Sequence, residues 1–142
     1  MFVFAVFVGC SKDDVGGSTN AKEALKVTVT SSSTFTNDNS QMTVSVGATD
    51  AKGNAMKWVV NGANGVDGQV LYILNSEYFY GGKTAVLQSQ PNYTNASITI
   101  SGFSMTVPYT ITYKVEQGNK VITEKTQSIQ PSATAFSVTL SY

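Results

Sequence analysis

Apolar and polar residues alternate with a period of two along most of the chain after residue 24. This spacing is typical of β-strands that place one face on a core and the other in water. No long segment has the spacing of an amphipathic helix, so the sequence predicts an all-β protein. Predicted strands cover residues 26–30, 42–46, 55–60, 69–74, 84–88, 97–100, 107–116, 120–129 and 136–142.

Turn-forming residues separate these segments. Residues 50–54 contain Gly53, which accepts a positive φ, and Asn61-Gly62 is a turn dipeptide. Gly118-Asn119 predicts a two-residue hairpin between two late strands. The number and spacing of the strands favour an immunoglobulin-like antiparallel β-sandwich of about 7–9 strands.

Three predicted strands have a more specific interpretation. Residues 69–74 are almost continuously apolar, which predicts a strand covered on both faces. Residues 120–129 are mostly polar and carry lysine, which predicts an exposed edge strand. The strand that begins near Tyr109 is expected to pack against Trp58, on about the third strand, and Tyr109 stands where a tyrosine corner would.

Composition narrows the possible functions. The formal net charge is zero, all basic residues are lysine, and histidine is absent. A neutral chain gives no electrostatic reason to bind nucleic acid. Without histidine the chain lacks the commonest general base and leaves only carboxylates as metal ligands. We therefore expect no catalytic residue, no metal site and no cofactor, and a protein that is not an enzyme.

One loop leaves two interpretations open. Asp50 and Asn54 share a short segment with Gly53. Their oxygens could hold a weak calcium ion, because calcium prefers carboxylate and amide oxygens. The same residues are also common in turns that need no ion.

The N-terminus has a different composition from the rest of the chain. Residues 2–8 are apolar, too few to span a bilayer as a helix, and are typical of a secretory signal. We predict a signal peptide over residues 1–9, a flexible linker beginning at Cys10 over residues 10–24, and the sandwich over residues 25–142. The alternative is that the apolar run is a buried strand and Cys10, the single cysteine, is an ordinary core residue.

Phe7-Val8-Gly9-Cys10 resembles a bacterial lipobox, and Ser11-Lys12-Asp13-Asp14 resembles the export tag of Bacteroidota surface lipoproteins. The resemblance implies cleavage before Cys10, a diacylglycerol on its thiol, and an anchor in the outer membrane at the cell surface. Its tag residues would be Ser11, Lys12, Asp13 and Asp14. Two features depart from this pattern: Phe7 replaces the usual leucine, and no basic residue precedes the apolar run. We therefore expect the natural start of the protein to lie upstream of Met1.

The globular part has a second resemblance. Residues 48–53, leading to Trp58 and Asn61-Gly62, are similar to the first half of a PKD-like repeat. Residues 109–115, followed by Gly118, are similar to the late strand of that family. A Gly-Asp-Gly turn that normally follows the family's tryptophan is missing here. The resemblance implies a seven-stranded sandwich used as a spacer or binding module.

Clustered aromatics are the candidate ligand-binding residues. Tyr78, Phe79 and Tyr80 are consecutive, so they cannot all face one side of a strand, and Tyr93 lies in a polar segment. Exposed tyrosines can stack on sugars or anchor a protein partner. The alternative is that Tyr78 and Tyr80 pack at the sandwich end while Phe79 caps the core, and Tyr93 is open to the same two interpretations. The predicted function is a lipid-anchored surface module that binds a glycan or protein. The alternative is a structural spacer or assembly subunit that pairs through an edge strand, either 120–129 or 136–142.

Overall fold

A computed structural model describes residues 22–38, 40–64, 69–132 and 134–142. The strands within these ranges have the following bounds: β1 Leu25–Ser31, β2 Ser40–Thr49, β3 Trp58–Val60, β4 Ala63–Asn64, β5 Tyr72–Leu74, β6 Thr84–Ser89, β7 Asn95–Ser104, β8 Tyr109–Gln117, β9 Lys120–Ile129 and β10 Phe136–Ser141. One 3₁₀ turn, Ser76–Tyr78, follows β5.

The strands form two antiparallel sheets that pack face to face. One sheet has six strands in the order β4-β3-β6-β1-β8-β9, and the other has four in the order β10-β7-β2-β5. The predicted all-β, immunoglobulin-like antiparallel sandwich is therefore confirmed at the level of its architecture. The short β4 is a two-residue addition at one edge.

The period of two in the sequence decides which side chains enter the core. In β1, Val27 and Val29 are fully buried, whereas Thr28 and Thr30 face outward. Cross-strand pairing with β8 places Val27 beside Val115. Neighbouring strands thus present one continuous apolar face, and its burial is the main driving force for packing the sheets.

The sandwich has two ends, which we name by the course of the chain. The described chain begins at the N-terminal end. There the backbone carbonyl of Lys22 accepts a hydrogen bond from Asn92 N, and Gly118 N donates a hydrogen bond to Ala24 O. The opposite, distal end is formed by loops 32–38, 75–83 and 105–108, which are joined by hydrogen bonds such as Thr34 Oγ1 to Pro108 O at 3.0 Å.

Several local predictions are confirmed. Asn61 and Gly62 both have positive φ, 48° and 80°, and turn β3 into β4. The hairpin at Gly118 joins β8 to β9, and β9 is an edge strand. Trp58 is buried on the third strand.

Two strand predictions are wrong. The segment 69–74 is not covered on both faces, because only Tyr72–Leu74 pairs, at an edge, and Ile73 faces solvent. Trp58 and Tyr109 do not face each other across the sandwich, since β3 and β8 lie in the same sheet with β6 and β1 between them.

Candidate functional site

The predicted aromatic cluster lies in a tight turn at the distal end. The 3₁₀ turn Ser76–Tyr78 ends at Phe79, and Gly81 and Gly82 follow with φ of 77° and 85°. A Cβ on Gly82 would come within 3.1 Å of Ser33 N, so only glycine fits this approach of two loops. The turn therefore points successive aromatic side chains in different directions.

Phe79 is an anchor of this turn and belongs to the core. Its side chain is fully buried, and its carbonyl accepts a hydrogen bond from the hydroxyl of Ser31. A predicted ligand contact through Phe79 does not fit this position, because the ring is not accessible. The alternative interpretation, in which Phe79 caps the core, matches the structure.

Tyr80 is half-buried and lies at the end of a chain of rings. Its centroid is 5.2 Å from that of Phe35, and Phe35 is 4.6 Å from Tyr109. Tilted aromatic pairs at this distance are favourable beyond the area they bury. The contact fixes the Tyr80 ring and leaves part of it open to solvent.

Beside Tyr80 is a groove of about 420 Å³, here called the Tyr80 groove. Its lining residues are all uncharged: Asn37, Ser40, Gln41, Thr43, Asn75, Ser76 and Tyr80. The side-chain amides of Asn37, Gln41 and Asn75 belong to exposed residues of this lining. The groove therefore offers amide donors and acceptors that another molecule can reach.

Tyr78 lies on the other side of the turn in a different environment. Its side chain is 50% exposed and borders a second groove of about 560 Å³. This groove is lined by Asn61, Glu77, Tyr78, Lys83 and Thr84. Charged groups of both signs therefore surround Tyr78, whereas the Tyr80 groove has none.

Tyr93 is not part of this cluster. It lies at the N-terminal end, is only 3% exposed, and accepts a hydrogen bond from Gln117 Nε2 at 2.9 Å. Lys22 Nζ is 4.8 Å from the ring centroid, and burial raises the pKa of the Tyr93 hydroxyl. Because Tyr109 and Gln117 are at opposite ends of β8, Tyr93 is about 25 Å from the Tyr80 region.

The loop after β2 has a carboxylate whose hydrogen bonds close the turn. The Asp50 carboxylate accepts hydrogen bonds from Lys52 N, Asn54 N and Asn54 Nδ2 at 2.8–2.9 Å. These hydrogen bonds lower the pKa of the Asp50 carboxyl, and the bond from the Asn54 side chain is the main cause. Turn chemistry thus accounts for Asp50 and Asn54. Within the described ranges, no three side chains of His, Cys, Asp or Glu come together as metal ligands would.

Cys10 and the residues Ser11, Lys12, Asp13 and Asp14 lie outside the described residues, so lipidation and export remain predictions. In the part of the chain that the structure describes, no helix has the length and apolar character needed to cross a membrane. Residues 22–24 of the predicted linker are held against the sandwich by the bonds at its N-terminal end.

Comparison with known proteins identifies structural relatives only. No family model matches the chain, and no curated protein matches it either. A DUF4425 family protein from Bacteroides ovatus ATCC 8483 superposes with a TM-score of 0.62 at 16% identity, covering 84% of this chain and 95% of that one. A DUF4425 domain of unknown function from Bacteroides vulgatus ATCC 8482 gives 0.64 at 17% identity, covering 85% and 95%. At such identities the likeness shows a shared fold.

Sequence reasoning missed most of the Tyr80 groove. Phe35 is a lone aromatic in a polar loop, and such a residue signals an anchor that packs somewhere. Gln41, Asn37 and Asn75 carry no such signal, since single amides are common in strands and turns. Only the packing of loop 75–83 on loop 32–38 brings them together.

Proposed function

We propose that this chain is a lipid-anchored surface lipoprotein whose sandwich is a non-catalytic binding module, with the Tyr80 groove as its ligand site. The observation that carries the proposal is a groove whose described lining is uncharged and has three solvent-exposed amides beside an aromatic ring packed on Phe35. It supports recognition, because a binding site needs polar groups that a ligand can reach.

The position of the groove supports surface display. The described chain starts at the N-terminal end, so an anchor at Cys10 would connect to the sandwich there. The groove is at the distal end, formed by Asn37, Asn75 and their neighbours. An anchored domain would thus present the groove away from the membrane.

The chemistry of the groove favours a neutral glycan as the ligand. Amide and hydroxyl groups can pair with sugar hydroxyls, and the open part of the Tyr80 ring can cover the apolar face of a sugar ring. Absence of charged side chains from the lining argues against a strongly anionic or cationic ligand. A polar segment of a partner protein is the second ligand class.

A glycan-array screen of residues 22–142, followed by calorimetry on the hits, tests the ligand site. Gln41→Ala and Asn75→Ala should each weaken binding about tenfold, because each removes an amide that pairs with the ligand. Tyr78→Ala is the matched control, since Tyr78 is exposed at the same end but borders the other groove. Equal loss for all three, or no loss, would reject the Tyr80 groove.

The anchor is tested separately in cells. Cys10→Ala should abolish labelling with a fatty-acid analogue and release the protein from the membrane fraction, because the thiol is the lipid attachment point. Cys10→Ser, which keeps the size of the side chain, should behave the same way. A variant that still fractionates with membranes would contradict the anchor.

A structural role through an edge strand remains a second candidate, and β10 favours it. In the part of the chain that the structure describes, this strand pairs on one side only, with β7, and it carries no charge, whereas β9 has Lys120, Glu124 and Lys125. Edge strands without charges or bulges are prone to pair with other strands. Thr139→Lys should convert any assembly to monomer in sedimentation velocity, and Ser128→Lys on β9 is the control.

A further inference from the structure

Three exposed apolar side chains form a patch at β5. Val70 is 67% exposed, Leu71 45% and Ile73 53%, and they fall within four consecutive residues. We call them the β5 patch. Exposed apolar residues are common singly, but a contiguous group is typical of an interaction surface.

The patch is held in place by a close backbone contact. The segment before β5 crosses β2 at Gly47, where an added Cβ would lie 2.8 Å from Val70 O. The absence of a side chain at Gly47 lets the two strands meet. A groove of about 400 Å³ lies beside this crossing. None of the described residues that line it is charged, and they include Thr49, Val70, Leu71 and Tyr142.

The described chain begins next to this groove. Lys22 Nζ donates to Thr94 O at 3.0 Å, and Thr94 N donates to Thr49 O at 2.7 Å. Thr49 is itself a lining residue, so Lys22, the first described residue, lies on the patch side of the N-terminal end. As a flexible coil, the segment from Cys10 to Lys22 would span about 20 Å, and about 40 Å if fully extended.

We infer that the β5 patch and its groove rest on the lipid surface to which the chain is anchored. The inference rests on the proposed lipid anchor, which would keep this end of the sandwich within a short tether of the membrane. A small apolar patch binds bilayers weakly when free, but tethering raises its effective concentration. Since none of the groove's described lining residues is charged, contact with lipid would desolvate no charge on them.

The inference gives the sandwich a defined orientation. Contact through Val70 and Leu71 would hold the N-terminal end of the four-stranded sheet toward the lipid. The Tyr80 groove at the distal end would then stay open to ligand. A domain that tumbled freely on its linker would show no such preference.

Quenching by brominated lipid in vesicles of phosphatidylethanolamine and phosphatidylglycerol tests the orientation, using the full lipidated chain. Leu71→Trp should be quenched roughly threefold more strongly than Val107→Trp, an exposed control at the distal end. Trp58 is buried and adds the same background to both variants. Equal quenching at the two positions would overturn the inference.

Two further measurements separate the possible failures. Intact mass shows first whether Cys10 carries lipid; if it does not, the proposed anchor fails, and Cys10 coupled chemically to a lipid lets the patch be tested alone. Sedimentation of the unlipidated Cys10→Ser chain detects a second copy seated on the patch. A dimer that Leu71→Asp dissociates would overturn membrane contact in favour of self-association.

Discussion

Two large aromatic side chains anchor the two ends of the sandwich in different ways. Trp58, near the N-terminal end, is fully buried, and its Nε1 has no hydrogen-bond partner among the described residues. Tyr109, at the distal end, is also buried, but its hydroxyl accepts from Phe103 N at 3.1 Å and donates to Gln41 O at 2.7 Å. Trp58 thus contributes apolar area alone, whereas Tyr109 adds a polar link between the two sheets.

The polar link also determines the geometry of the candidate site. Tyr109 belongs to the six-stranded sheet, and Gln41 and Phe103 are paired neighbours in the four-stranded sheet. The backbone of Gln41 is therefore fixed by the tyrosine while its side chain lines the Tyr80 groove. The polar anchor thus positions a residue of the candidate site, as a binding site requires.

Truncation of the apolar anchor should have the largest effect. Trp58→Ala should lower the free energy of unfolding by about 3–5 kcal/mol, because it removes a large buried ring and leaves a cavity. Trp58→Phe is the control and should cost clearly less, since it keeps a ring and removes an N–H that no described residue accepts. Urea denaturation measures both. A loss below about 1 kcal/mol for Trp58→Ala would mean that area burial is not what secures this end.

Filling the space beside the polar anchor should have an intermediate effect. A Cβ on Gly102 would lie 2.6 Å from the Tyr109 hydroxyl and 2.8 Å from Ile111 Cδ1. Gly102→Ala should therefore destabilise the protein by about 1–3 kcal/mol through overpacking. Ser101→Ala, on the outward face of the same strand, should change stability little. Equal stability of the two variants in urea would show that the distal end can relax around the methyl group.

Alternation of apolar and polar residues was enough to predict the strands that bury one face. In β8 the pattern identifies Tyr109, Ile111, Tyr113 and Val115 as one inward face, and all four are buried. The pattern failed at residues 69–74, because a continuous apolar run is compatible both with a strand covered on two faces and with an exposed edge strand. It is the crossing at Gly47 that decides between the two.

The candidate site was less predictable than the fold. Tyr78, Phe79 and Tyr80 were identified together, but a 3₁₀ turn separates them into an exposed ring, a core ring and a groove wall. Tyr93 was grouped with them because it is also an aromatic residue in a polar segment, although it lies at the opposite end of β8. Proximity across loops depends on tertiary packing, which a period of two along one strand does not encode.

Removing only the hydroxyl of the polar anchor should have the smallest effect, and one that depends on pH. Tyr109→Phe leaves Phe103 N and Gln41 O without a partner, which should cost about 1–2 kcal/mol near pH 7. Burial raises the pKa of Tyr109 from 10 to about 12, so the neutral phenol is favoured in the folded state. The contribution of the Tyr109 hydroxyl to the free energy of unfolding is complete below pH 10 and is lost as the pH rises toward 12.

The stability difference between wild type and Tyr109→Phe should therefore shrink above pH 10 in urea denaturation. Tyr93 and Tyr113, whose pKa values burial also raises, are present in both proteins and cancel in this comparison. A difference that stayed constant from pH 7 to pH 11 would mean that the Tyr109 hydroxyl does not link the two sheets in solution.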